Sequence, residues 1–357
     1  MREIKSFVAL SKYAGERFDL VQAGGGNSSV KLGNGEMIIK ASGFLLSEME
    51  EHAGHSKVHT KQVASIVESD LVKKEEDQRK RDALASGFVR EATINKGTRP
   101  SIETLLHSLL LKYTLHTHPI VVNMIVMQAN WKDVLYSIFN RETIALVEYK
   151  TPGIDLALEL SKTLEYFEKT PNIIFLQNHG LIVTSDNEED IRILTERVID
   201  KIEKHLEVDM AEFKLTNDIS RIMNSLGKDK RSIAYLCQDG YLIRKLASNK
   251  NIFFTQPFCP DTLVFCGFTS VEITDLSDTL PVSSYEKRFF ELPKVIVYRD
   301  SIFFIAPNIK KSKEIEEVMK FHVMVLDRVE RLENNYLELE ELGYLSNWEA
   351  EKFRQRI

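Results

Sequence analysis

Apolar positions recur at helical spacing over residues 4–20 and predict an amphipathic helix. The pattern breaks at Ala23-Gly24-Gly25-Gly26-Asn27-Ser28-Ser29, a glycine-rich turn leading into Val30-Lys31-Leu32. Asn34-Gly35 is a hairpin signal, and Met37-Ile38-Ile39-Lys40 reads as the returning strand, ended by Ser42-Gly43. Residues 72–82 are almost wholly charged and read as a solvated helix face or a mobile surface segment. Arg99-Pro100-Ser101 has the form of a helix start, with Pro100 near the first turn and Ser101 or the preceding turn as cap, and predicts a helix over 102–112. A strand follows at 113–118, then a helical stretch, a short strand at 144–147, a turn at Thr151-Pro152-Gly153 and a helix over 154–169. Apolar strands at 173–176 and 181–183 flank Gln177-Asn178-His179-Gly180. From Asp186 to about 213 the apolar positions Ile191, Leu194, Val198, Ile202 and Leu206 predict a long helix.

Beyond about 215 the texture changes. Residues 218–248 look helical, 252–306 mix short strands with Pro and Gly turns, 294–298 and 302–305 read as a hairpin around Arg299-Asp300-Ser301, and 311–335 predict a long helix. There is no internal repeat and no low-complexity linker. The expected organisation is therefore two domains, 1–215 and a smaller α+β domain over 216–357.

Length and composition agree with this division. A chain of 357 residues holds two domains or one large one, and can bury a sizeable core without disulfides. The net charge of −6, with no long basic run, argues against nucleic acid as the main partner. Cys237, Cys259 and Cys266 are odd in number and confined to the last third, which fits reduced thiols in a cytosol. The charged start Met1-Arg2-Glu3-Ile4-Lys5 leads into no apolar signal region, and no run reaches the roughly 18 apolar residues needed to span a bilayer. A cytoplasmic protein is expected.

The candidate chemistry begins in Tyr113-Thr114-Leu115-His116-Thr117-His118-Pro119. On a strand, His116 and His118 point to the same face, which is half of a tetrahedral metal site. His179 and Glu103 offer a third imidazole and a carboxylate. Three histidines and one labile position suit a catalytic metal rather than a structural one. Taken singly, each has an ordinary explanation: a chance pair, a turn residue, a first-turn carboxylate favoured by the helix dipole. His52, His55 and His59 have helix-like spacing, with no carboxylate or cysteine nearby to suggest a second metal.

The order of these segments changes the odds. Pro100-Ser101-Ile102-Glu103 with His107, then His116-Thr117-His118-Pro119, then Asn178-His179-Gly180 resembles the class II aldolase/adducin family. Gly25-Gly26-Asn27-Ser28-Ser29 and Ala41-Ser42-Gly43 stand in the order of that family's phosphate-binding segments. The resemblance covers about residues 5–215, and the longer form is similar to the aldolase part of rhamnulose-phosphate aldolase/dehydrogenase fusions, without the dehydrogenase domain.

This resemblance implies an α/β fold with a central, mainly antiparallel sheet covered by helices. It implies Zn²⁺ or another divalent transition metal on His116, His118 and His179, with Glu103 as acid/base. Gly26, Asn27, Ser29, Ser42, Gly43 and Ser101 match positions around the substrate phosphate. Tyr149 resembles a tyrosine that a neighbouring subunit supplies to the leaving oxygen. His107, one turn after Glu103, reads as packing, a subunit contact or support for the site. The implied activity is reversible aldol cleavage of a phosphorylated ketose through a zinc-stabilised enediolate. Decarboxylation of a sugar-acid phosphate and 4-epimerisation use the same site, though family epimerases carry aspartate at the position of Glu103. A non-catalytic adducin-like scaffold is the third implied reading, and adducin heads lack an intact triad. A homo-oligomer, with a tetramer favoured, is expected. One departure stands out: small aldolases of the family have Ser-Ser before the glutamate, and here the second position is Ile102, so Lys31 or Lys40 is the expected substitute for the missing phosphate donor.

Overall fold

A computed structural model describes residues 2–95, 97–227, 232–329 and 335–338. The chain separates into two compact units, Met1–Met210 and Ala211–Ile357. The first carries seven strands: β1 (Asn27–Lys31), β2 (Glu36–Lys40), β3 (His55–His59), β4 (Tyr113–Thr117), β5 (Ile144–Val147), β6 (Ile173–Leu176) and β7 (Gly180–Ser185). Their spatial order is β3-β2-β1-β4-β7-β6-β5, antiparallel throughout except for the β5–β6 pair.

Alternation along the strands gives the sheet two buried faces. On one face Val30, Leu115 and Val183 join the helices Arg2–Gly15, Ile120–Val126 and Glu188–Leu206 in a single apolar cluster. On the other, Met37, Ile39 and Ile182 pack with Thr60–Glu68, Gln78–Glu91, Thr104–Ser108 and Ile154–Leu164. The central strand β4 is buried at every position, so anything it presents is fixed from both sides.

The helices obey their local signals. In Glu188–Leu206 the Asn187 side chain accepts the Glu189 N–H, three acidic residues fill the first turn, and Lys204 and His205 fill the last. That helix ends at Leu206, where Glu207 takes a left-handed conformation, short of the 213 that periodicity suggested. Three further expectations need correction. The predicted 102–112 helix contracts to Thr104–Ser108. His55 and His59 lie on β3, not on a helix; Ser56 and Val58 face inward between them, and strand pairing with β2 overrides the helical spacing of the histidines. The stretch read as helical over 218–248 contains β8 (Ile233–Leu236). It is too short for periodicity to separate from the helices Ala211–Leu226 and Gly240–Ser248 on either side.

The second unit is built on a four-stranded sheet of β8, β9 (Val271–Ile273), β10 (Val295–Tyr298) and β11 (Ser301–Ala306), ordered β8-β11-β10-β9. The β10–β11 hairpin turns through Arg299 at positive φ, as the sequence placed it. Helix Ile309–Val329 covers one face. Among the described residues no helix is long and apolar enough to cross a membrane.

Two predictions follow from packing. A Cβ on Gly15 would stand 2.2 Å from the Ser47 backbone nitrogen and 2.6 Å from the Leu46 carbonyl carbon, neither of which can swing away. Gly15→Ala should therefore cost at least about 1–3 kcal/mol in urea unfolding; an unchanged midpoint would show that the Arg2–Gly15 helix is not seated there.

The second concerns His322, which is 4% exposed and donates or accepts one hydrogen bond, Nε2 with Thr255 Oγ1 at 2.9 Å. Burial lowers its pKa to about 4. The unfolded chain takes up that proton near pH 6.5 while the folded chain resists it, so stability falls as pH drops from about 6.5 to 4. The shift corresponds to about 3 kcal/mol. His322→Gln should flatten the acid limb of the thermal midpoint, and an identical limb would remove this histidine from the acid response.

Candidate metal centre

β4 places the pair. His116 is its fourth residue, registered between Asn27 of β1 and Ile182 of β7, and is fully buried. Its Nδ1 lies 3.0 Å from the Leu181 carbonyl oxygen. A carbonyl can only accept, so Nδ1 carries the proton and Nε2 presents a lone pair. His118 follows the strand on the same face, and its backbone N–H donates to the Leu20 carbonyl at 2.9 Å. His179 enters from the β6–β7 turn, where Asn178 takes φ 51° and the His179 N–H donates to Leu176. Gly180 is required beside it, since a Cβ would stand 2.3 Å from the Thr117 carbonyl oxygen.

The four ligand atoms of Glu103, His116, His118 and His179 lie within 4.8 Å of one another. His116 Nε2 is 3.1 Å from His118 Nε2, 3.3 Å from His179 Nε2 and 3.2 Å from Glu103 Oε1. His179 Nε2 is 3.5 Å from the same Glu103 oxygen. Four ligands about 2.0–2.1 Å from a tetrahedral zinc are separated by roughly 3.3–3.4 Å. The donor set therefore fits a divalent cation in both chemistry and spacing.

Electrostatics agree. Burial would raise the Glu103 carboxyl, but His116, then His179 and His107, overcome it and hold it well below the usual carboxylate range. Burial, reinforced by His116, lowers His118 to about 3 and His179 to about 4, so both are neutral imidazoles, the form that binds metal. Burial alone would lower His116 too, but Glu103 and the Leu181 carbonyl raise it. A proton on His116 Nε2 and a divalent cation would compete for the same lone pairs.

The neighbours of Glu103 are set by β1. Asn27 Nδ2 donates to Glu103 Oε2 at 3.4 Å, and Ser29 Oγ lies 2.7 Å from His107 Nδ1. Lys31 Nζ donates to the carbonyls of Ser108, at 2.9 Å, and Leu110. Alternate side chains of one strand thus grip the 103–110 segment turn by turn. Asn27 and Ser29 are fully enclosed by these protein partners, and Lys31, lowered to about 8 by burial, is committed to carbonyls. In the sequence Asn27 and Ser29 read as part of a glycine-rich turn, whereas they open β1, and none of these partners was indicated; the i, i+4 spacing of Glu103 and His107 was the available signal.

The other candidates lie at three places. Gly26, at φ 73°, sits where a Cβ would meet the His116 carbonyl oxygen at 2.9 Å, so it serves close backbone approach. Ser42, Gly43 and Ser101 gather at a second locus: the Ser42 N–H donates to the Arg99 carbonyl at 2.8 Å, and the Ser101 N–H to the Lys40 carbonyl at 3.3 Å. Gly43 has φ 89°. Ser101 Oγ accepts the Glu103 N–H at 3.3 Å, which ties this locus to the carboxylate. Lys40 is enclosed, lowered by burial against the pull of Glu103 and Glu48. Tyr149 is 52% exposed, and among the described residues only its amide is engaged, on Gln177 Oε1 at 3.0 Å; its ring is not part of the four-donor cluster.

A sequence profile for the Class II Aldolase and Adducin N-terminal domain matches residues 5–203. The chain belongs to this family. The α/β fold expected from the resemblance is the one observed in the class II aldolase unit. A Bacillus subtilis (strain 168) protein named uncharacterized oxidoreductase YuxG is 26% identical over 214 residues, covering 57% of this chain. The match spans 29% of that curated relative's length. Among solved structures, the N-terminal class II aldolase domain of a conserved Thermoplasma acidophilum protein is similar at TM-score 0.48 and 23% identity, covering 57% of this chain and 93% of that one. A sugar-phosphate aldolase from Thermotoga maritima gives TM-score 0.39 and 15% identity, covering 64% and 98%.

The turn that presents His179 is open to a direct test. Gly180→Ala keeps every donor of the class II aldolase site but forces the turn off Thr117. Zn²⁺ affinity measured by equilibrium dialysis should fall roughly tenfold or more; unchanged affinity would show that the close approach does not position His179.

Proposed function

We propose that the chain is a metal-dependent carbon–carbon lyase that reversibly cleaves a phosphorylated ketose or related sugar by an aldol reaction. The observation that carries this reading is the convergence of Glu103, His116, His118 and His179 within 4.8 Å. His116, His118 and His179 would hold Zn²⁺ or a similar divalent cation, and Glu103 would close the set at rest. When bound, the cation supplies a Lewis acid that polarises a substrate carbonyl and stabilises negative charge developing on its oxygen.

The chain's own residues supply the rest. Glu103 is held ionised by its imidazole neighbours, so it is available as a base. In the synthetic direction it takes the proton from the carbon beside the carbonyl; in cleavage it returns that proton. Asn27, donating to the outer carboxylate oxygen, limits where the carboxylate swings. Ser42, Gly43 and Ser101 take the phosphate end. Tyr149, supplied across a subunit boundary in a homo-oligomer, donates the proton to the leaving oxygen. The unit from Ala211 onward is an accessory domain in this reading. Decarboxylation and 4-epimerisation would draw on the same cation and base, and product analysis separates them from aldol cleavage.

The test is metal analysis joined to an assay of aldehyde release from a panel of ketose 1-phosphates. Glu103→Gln should retain metal and lose about 10²–10⁴-fold in turnover. His118→Ala should lose metal and activity together. Full turnover in the first variant, or full metal content in the second, would defeat the assignment.

A further inference from the structure

The missing hydroxyl at Ile102 leaves a question that the structure answers. Lys31 cannot replace that donor, because its ammonium group is spent on the carbonyls of Ser108 and Leu110. Beside Ser101 and Ile102 opens a cavity of about 690 Å³, within the range of small-molecule sites. Its wall includes Arg90, at the end of the Gln78–Glu91 helix, and Arg99, in the segment that pairs with Ala41-Ser42. Both arginines are exposed, and among the described residues neither guanidinium has an ion pair or a hydrogen-bond acceptor. Glu91 is the single carboxylate of the lining, so the wall is net positive.

We propose that Arg90 and Arg99 form an oxyanion subsite that takes the phosphoryl group of the substrate. This rests on the aldolase reading for the identity of the substrate, but not for the existence of the subsite. Guanidinium groups present paired N–H donors that match phosphoryl oxygens, and two of them with no protein acceptor on one cavity wall leave that capacity for a ligand. Ser101 belongs to the same wall. Its hydroxyl oxygen accepts the Glu103 N–H, which leaves its proton to donate outward. Ser42 is brought beside Arg99 by its N–H bond to the Arg99 carbonyl. The cavity edge at Ser101 lies two residues from Glu103, a chain span of at most about 7 Å. A substrate anchored there by its phosphate therefore reaches the acid/base carboxylate with a short carbon chain. Arg90 and Arg99 replace the hydroxyl lost at Ile102 with charge.

The subsite is tested by binding, apart from turnover. Inorganic phosphate is titrated calorimetrically into the Zn²⁺-loaded full chain, with malonate as a second probe and metal content measured in parallel. Phosphate should bind saturably. Arg90→Gln and Arg99→Gln should each weaken it about tenfold, and the double variant further, with metal content unchanged. That result establishes the subsite even if no ketose phosphate is cleaved. Phosphate binding that survives in the double variant, or that vanishes only in His118→Ala, overturns it by placing the anion elsewhere. Malonate binding as tightly as phosphate overturns the phosphoryl assignment.

Discussion

Three imidazole nitrogens and a carboxylate oxygen held within 4.8 Å of one another, with His116 Nε2 only 3.1–3.3 Å from each of the others, are the constraint on which the first unit turns. Lone pairs at that distance repel, and burial removes the water that would screen them. Such a cluster persists only with positive charge at its centre and a scaffold that prevents its members from drifting apart. The scaffold is the middle of the sheet. His116 is anchored by the Leu181 carbonyl, His118 by the Leu20 carbonyl and His179 by the β6–β7 turn. The segment carrying Leu20 is itself fixed from beneath. Arg17, fully buried, bonds Asp19 at 2.5 Å and also reaches Glu196 of the Glu188–Leu206 helix. Removing one partner of such a buried network strands a charge, so its members act as a unit.

Glu103 is held by a different device. Its helix, Thr104–Ser108, spans five residues, too few to be stable from backbone hydrogen bonds alone. Asn27, Ser29 and Lys31 supply what is missing, on Glu103, His107 and the carbonyls of Ser108 and Leu110. His107 is wholly enclosed and lowered to about 3 by burial, hence neutral. Its Nε2 has no hydrogen-bond partner among the described residues. An unpartnered lone pair is cheaper than an unpartnered N–H, so Nδ1 is the protonated nitrogen and donates to Ser29.

This ladder also explains what the sequence made legible and what it did not. The shared face of His116 and His118 follows from strand alternation, and the turn at Asn178-His179-Gly180 from the apolar runs around it. The family resemblance supplied their convergence, since pairing of β4 with β7 is a long-range fact that no local pattern contains. Local reasoning failed where two periods competed. His52, His55 and His59 are spaced for a helix, yet β2 offers an open edge to residues 55–59, and the ladder prevails. It failed again at 102–112, where apolar residues continue past Ser108 but Lys31 draws off the carbonyls of Ser108 and Leu110. Partners of polar side chains were the least legible feature. Asn27 and Ser29 read as part of a turn although they open β1, and nothing in the pattern says that protein groups already fill their hydrogen-bonding capacity.

The enclosure of those two side chains bears on how the site divides its work. Donors that meet Glu103 and His107 are withdrawn from the substrate, so recognition shifts to groups beyond Ser101. There the wall is net positive, while Glu103 itself belongs to a nest of cation-seeking lone pairs. Groups that attract opposite charges therefore lie close along the chain, at Ser101 and Glu103. A ligand suited to both must carry electron-rich oxygens at the metal end and a negative group at the other, separated by only a few bonds. In the proposed reading, a short sugar phosphate with its carbonyl near the phosphoryl end has this charge layout. A neutral ketose meets only half of it, and a scaffold with no ligand has no use for either half.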